Sequence, residues 1–251
     1  MRQHLSVFML QARATAHWFL LLIVLMVGAE VLLMQKSLRL LEEGYIPFET
    51  LVGEGFFAVV FVVALALQAL LSMAISDEKG HTTLRLSVSE EALMLWHTLY
   101  HFMCYLILWG VQLLLLLLLL DLYQGRVDPS YLNHQSAMLS FYRGNFLHTI
   151  LPLGHTSLYI RNIAMFAFLS LGAAFILQDR RTSQGLVEPS NVFSGLVLAV
   201  QILFLMTFVS RMSDFSMHVF LTVLMVFLVA LIVVIQHARR KSFVLEREGM
   251  E

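Results

Sequence analysis

The chain has 251 residues, of which 59% are hydrophobic and only 13% charged. A soluble globular domain carries about 25% charged residues; here about half of that charge is missing, and the mean hydropathy is +0.80. This excludes a soluble enzyme, a disordered tail and a nucleic-acid binder, and 16 Lys and Arg against 17 Asp and Glu leave no basic excess for a polyanion.

A membrane-spanning helix needs about 20 apolar residues. Six candidate spans follow along the chain, at 17–34, 51–75, 93–120, 159–178, 192–210 and 217–235. The expected fold is an all-α membrane protein, a single transmembrane domain over residues 1–251.

Residues 1–15 mix Arg2, His4 and Arg13 with Leu5, Val7, Phe8, Met9 and Leu10. That pattern predicts an amphipathic helix lying in the membrane interface. The first span is read as retained, not as a cleaved signal peptide. The second has small residues (Ala58, Ala64, Ala66, Ala69, Ser72, Ala74) that favour close helix packing in lipid. The third ends in a run of leucines, Leu113 to Leu120, and exceeds a bilayer thickness, so it must tilt or project. The Trp96–His97–Tyr100–His101 end is expected to project. Residues 121–158 form the longest extracytoplasmic loop, and 146–158 is an apolar segment too short to span, a candidate re-entrant piece. Ser170 and Ala174 beside Gly172, and Gly195 with Ala199, are small-xxx-small pairs in spans four and five. All four prolines fall outside the spans, which counts against a transporter built on broken helices.

Lys and Arg set the orientation. With both termini cytoplasmic, ten basic residues lie inside (Arg2, Arg13, Lys79, Arg85, Arg180, Arg181, Arg239, Arg240, Lys241, Arg247) and six outside (Lys36, Arg39, Arg126, Arg143, Arg161, Arg211). The excess favours this topology.

Catalytic signatures are missing. There is no phosphate-binding G-x-x-x-x-G-K-[ST], no H-E-x-x-H, no G-x-S-x-G and no dinucleotide fingerprint. Cys104 is the single cysteine, so an intrachain disulfide is excluded. His97 and His101, four apart, share one helix face. They could hold a metal if His17 or a carboxylate supplied a third ligand, or they could sit at the interface and bond to neighbours or headgroups. No metal site is assigned. Intramembrane carboxylates are costly and usually face a cavity or a partner. Glu30 and Glu54 are therefore candidate polar path residues, as is the amide Gln68. The plainer reading of Glu30 is snorkelling outward or pairing with Lys36 or Arg39. Gln68, Gln112 and Gln201 are mid-span amides whose common use is helix–helix hydrogen bonding.

Residues 76–91 form the densest polar loop, on the cytoplasmic side: Ser-Asp-Glu-Lys-Gly-His-Thr-Thr-Leu-Arg-Leu-Ser-Val-Ser-Glu-Glu. Gly80 permits a turn. Ser87 or Ser89 can cap a following helix, with Glu90 and Glu91 favourable in its first turn. The expectation is a short polar helix at the inner face, placed to dock another protein; the bland alternative is a solvated loop.

This arrangement resembles the permease subunits of ABC-2 type transporters. The likeness rests on the six-span layout and on Asp77–Glu78–Lys79–Gly80, Thr82–Thr83–Leu84 and Leu86–Ser87–Val88–Ser89–Glu90 between spans two and three. Ser87 stands where the family usually has proline and Glu90 where it has a basic residue, the stretch is a residue or two short, and Arg211 to Ser216 leaves no room for the family's re-entrant element. The resemblance implies a non-catalytic chain of the bacterial cytoplasmic membrane that forms the translocation path. It implies two partner ATPase subunits that bind the ATP and Mg, so this chain needs no cofactor of its own. It implies a second permease chain, identical or homologous. Asp77, Glu78, Lys79, Gly80, Thr82, Thr83, Leu84, Arg85 and Leu86 would make the coupling contact, and the cargo would be an exported peptide, antibiotic or lipid-like molecule. An intramembrane lipid-modifying enzyme using His97, His101, Glu30 and Glu54, or a secondary transporter, are the alternatives.

Overall fold

A computed structural model of the chain describes residues 2–39, 45–53, 56–78, 89–131, 135–183, 197, 200–202, 226, 229 and 232. These residues form helices and turns, with no strand among them. The helices are α1 (Arg2–Arg39), α2 (Phe48–Gly53), α3 (Phe56–Glu78), α4 (Glu90–Gln124), α5 (Ser136–Arg143), α6 (Asn145–Ile150) and α7 (Thr156–Ser183), with a 3-10 turn at Pro129–Tyr131. All belong to one compact unit, Met1–Arg211. The second unit, Met212–Glu251, is described only at Val226, Val229 and Ile232, each helical.

Three helical segments are long and apolar enough to cross a membrane: Val7–Arg39, Glu91–Gln124 and Thr156–Gln178. They mark the chain as membrane-embedded. Phe56–Leu71 in α3 is a shorter apolar helix. The candidate spans at 192–210 and 217–235 fall largely outside the described residues.

Two element boundaries differ from the sequence expectation. The N-terminal stretch is no separate interfacial helix. It is the start of α1, which runs unbroken for 38 residues, about 57 Å at 1.5 Å per residue. No proline or glycine precedes Gly28 to interrupt it. Its buried face begins at once, with Val7, Gln11, Ala14 and Thr15, and Phe8 meets the rings of Trp96 and Tyr100 on α4 edge-on. The predicted second span is also divided, into α2 and α3. Pro47 opens α2: its carbonyl accepts from the Thr50 and Leu51 amides.

α4 starts where the sequence places a cap. The Ser89 side chain accepts from the Ala92 amide at 3.4 Å, and Glu90 and Glu91 occupy the first turn, where the helix dipole favours acid. The helix that Ser89 caps is α4; the short polar helix expected within 76–91 falls on residues 79–88, outside the described residues. It ends at Gly125, whose N–H bonds back to Asp121.

Side-chain pairs fix the helix directions. Thr15 meets Tyr100 and Glu30 meets Gln112, so α1 and α4 run parallel. Trp109 packs on Tyr159 and Tyr105 on Phe166, so α7 runs antiparallel to α4. The outward faces are apolar: Leu20, Val24, Leu25 and Leu32 on α1, Val59 and Val63 on α3, Leu114, Leu118 and Leu122 on α4. The interior holds Gln11, Thr15, Glu30, Gln68, His97, His101 and Gln112. Lipid-facing helices have this character: apolar outside, with the polar groups turned inward to find partners.

The segment between α4 and α7 folds into two short helices. A Cβ on Gly144 would lie 2.9 Å from Leu147 Cδ1 and 3.1 Å from the Ser140 carbonyl, so the tight α5–α6 corner needs glycine. Gly154, at φ 80°, turns the chain into α7. Ser140 on α5 donates to Glu49 Oε2 on α2 at 2.9 Å, and the Tyr123 hydroxyl donates to the Ile46 carbonyl at 2.8 Å. Residues 146–158, the candidate re-entrant piece, thus contain most of α6, a turn and the first residues of α7.

Candidate functional site: a buried polar seam

The seam follows from helical spacing. On α4, His97, His101, Cys104, Leu108 and Gln112 recur at three or four residues and are all buried. On α1, Gln11 and Thr15, and then Leu22, Met26, Glu30 and Met34, follow the same spacing, with one seven-residue step between Thr15 and Leu22. Because α1 and α4 are parallel, their polar positions meet at two levels.

At the lower level the Thr15 and Tyr100 hydroxyls are hydrogen-bonded to each other. Thr15 also bonds its own helix, at the Gln11 carbonyl, 2.9 Å away. Gln68 reaches Tyr100 from α3, and Cys104 contacts the same hydroxyl. One phenol therefore ties three helices. His101 is fully buried beside it, its ring edge-on to Tyr100 at 5.8 Å, and neither imidazole nitrogen has a hydrogen-bond partner. His97, one turn earlier, is buried too.

At the upper level Gln112 Nε2 donates to Glu30 Oε2 at 2.9 Å. Both side chains are fully buried. This replaces the plainer sequence reading of Glu30. It neither snorkels nor pairs with Lys36 or Arg39; it faces α4. Gln112 makes the interhelical bond expected of a mid-span amide. So does Gln201, which donates to the Leu169 carbonyl at 3.1 Å. Gly172 leaves room for that amide, since a Cβ there would collide with it.

The two levels are separate. His101 and Gln112 lie eleven positions apart on α4, about 16 Å along the axis. His101 and Glu30 therefore do not form one constellation. His17, the third ligand considered for a metal, is exposed and stacks near Trp18. Among the described residues no group of three His, Cys, Asp or Glu is placed to hold a metal ion.

The coupling residues are only partly in view. Asp77 and Glu78 form the last residues of α3, while Lys79, Gly80, Thr82, Thr83, Leu84, Arg85 and Leu86 lie outside the described residues, as does Glu54.

A second cluster sits beyond the spans. His148 on α6 and His155 face each other edge-on at 5.5 Å, with Tyr142 also against His148. Burial, reinforced by neighbouring His155, holds the His148 imidazole below its usual range; a backbone hydrogen bond with Phe141 opposes this, and Arg161 adds to it. Sequence reading missed this cluster. A seven-residue spacing would place both histidines on one face of a continuous helix, but the turn at 151–155 separates them, so helical periodicity does not reveal this contact.

The chain matches no protein-family model, no curated protein and no solved structure.

Proposed function

We propose that the chain is the permease subunit of an ABC transporter of the ABC-2 type, forming part of a translocation path and drawing its energy from a separate ATPase. The observation that carries this reading is the segment 76–91, both for its residues and for its position. It joins α3, which ends at Glu78, to α4, which begins at Glu90 under the Ser89 cap. A load applied to this loop would pass straight into α4. That helix holds α1 through Tyr100–Thr15 and Gln112–Glu30, and α3 through Tyr100–Gln68.

In this account Asp77, Glu78, Lys79, Gly80, Thr82, Thr83, Leu84, Arg85 and Leu86 dock an ATPase subunit. Two such subunits bind ATP and Mg and serve this chain and a second permease chain, identical or homologous. Closure of the ATPases biases a two-state bundle. The faces carrying Glu30 and Gln68, closed against neighbours here, line the path when the helices part, and Glu54 takes the same role. The protein sits in the bacterial cytoplasmic membrane with both termini inside, and exports a peptide, an antibiotic or a lipid-like molecule. The lipid-modifying enzyme draws less support, because its proposed residues His101 and Glu30 occupy different levels of the bundle.

The test is Glu78→Lys, together with a Gly-Pro insertion between Thr82 and Thr83, in the chain co-expressed with its ATPase. Both changes should abolish transport-coupled ATP hydrolysis while the chain still inserts in the membrane. Unchanged hydrolysis in both would remove the coupling assignment.

A further inference from the structure

Glu30 and Gln112 make one hydrogen bond where their chemistry allows two. Gln112 Nε2 donates to Glu30 Oε2 at 2.9 Å. The other oxygen of each group, Glu30 Oε1 and Gln112 Oε1, is buried with no hydrogen-bond partner. Both side chains are fully buried. An ionised carboxylate only accepts, and a carboxamide oxygen only accepts. Two bare acceptors would then sit on a pair of groups already in contact. A carboxylic acid is different, because it brings one O–H donor. An acid and a primary amide are complementary across a two-bond ring. The amide N–H donates to the acid carbonyl, and the acid O–H donates to the amide carbonyl. The first of these bonds is in place, and each group keeps one oxygen without a partner, the two that a second bond would join.

Among the described residues, no basic group pairs with the Glu30 carboxyl. On α1, Lys36 and Arg39 lie about 9 and 14 Å further along the helix. On α4, the nearest titratable groups are Cys104 and Tyr105 on one side and Asp121 and Tyr123 on the other. α3 has no charged residue before Asp77. α2 offers Glu49, a like charge already bonded to Ser140. On α7, Arg161 bonds the side chain of Asn162. An unpaired charge inside a bilayer is among the costliest groups a helix can carry.

We propose that Glu30 is a proton-binding site: it holds a bound proton in this packed state and donates it to Gln112 Oε1, closing an acid–amide ring that fastens α1 to α4. The ligand is a proton, the one cation that fits between two groups already hydrogen-bonded. The site stands apart from the transport reading and survives if that reading fails.

Infrared spectroscopy of the full-length chain, purified in lipid nanodiscs at neutral pH, tests it. The wild-type minus Glu30→Gln difference spectrum should contain the carbonyl-stretch band of a protonated carboxylic acid, displaced by ¹³C-glutamate labelling. Gln112→Leu should keep that band and shift it, since the acid loses its amide partner. Glu30→Gln keeps shape and neutrality and can rebuild both bonds as an amide pair, so its melting temperature should stay close to wild type. Carboxylate stretches in place of the acid band in the difference spectrum would overturn the proposal. Should Glu30→Gln fail to fold, Gln112→Leu decides alone: an acid band that does not shift there, or no acid band in the wild type, is equally contradictory.

Discussion

The Trp109 indole N–H on α4 donates to the carbonyl of Ile150, the last residue of α6, at 3.1 Å. One residue earlier the Thr149 carbonyl accepts from Asn162 Nδ2 on α7 at 2.7 Å. The last carbonyls of a helix have no partner within it. Here two neighbouring helices supply them, so the end of α6 is capped by side chains that must all be in register.

Trp109→Phe keeps a ring at this position but leaves the buried Ile150 carbonyl unpaired. An orphaned buried polar group costs about 1–3 kcal/mol. The variant should lose stability by that order in detergent unfolding titrations, and Asn162→Leu should do the same. A melting curve superimposable on wild type for both would mean that the cap is not needed.

His101 predicts the opposite sign. Its ring nitrogens are buried without partners, so the side chain carries a desolvation cost with nothing to offset it. His101→Leu should fold and gain about 1–3 kcal/mol, read as a higher melting temperature. A destabilised His101→Leu chain would show that the imidazole is held by a polar contact.

The third expectation concerns pH. The folded state holds His148 below the ordinary histidine range, chiefly by burial and with His155 adding to it. The unfolded chain takes up that proton near pH 6.5. As pH falls through that value the unfolded state binds the proton first, so stability drops; above it the contribution is complete. Amide exchange in α5 and α6, corrected for its intrinsic pH dependence, should therefore accelerate on acidification. His148→Gln should flatten that response. An equal response in the variant would assign the effect to other groups.

The sequence made the helices legible where length and apolar run decide them. The expected spans at 93–120 and 159–178 fall within α4 and α7. The Ser89 cap was readable because its chemistry is local. What escaped was whatever depends on helix register. Glu30 and Gln112 are 82 positions apart, and Thr15 and Tyr100 are 85 apart. Nothing in either segment says which turn of α1 faces which turn of α4. Glu30 was accordingly matched to the basic residues nearest in sequence, Lys36 and Arg39. Polar content misled at the N-terminus in a related way. Residues 1–15 read as a separate amphipathic segment, yet Arg13 faces outward while Gln11, Ala14 and Thr15 carry the buried stripe on into the rest of α1.

Copurification tests the central claim most directly. Expressed with the genes that flank its own and extracted in mild detergent, the tagged chain should bring down an ATPase subunit in equal amount. The same pull-down with the Gly-Pro insertion at Thr82–Thr83 should lose it. A chain that purifies without any ATPase under those conditions would contradict the permease account.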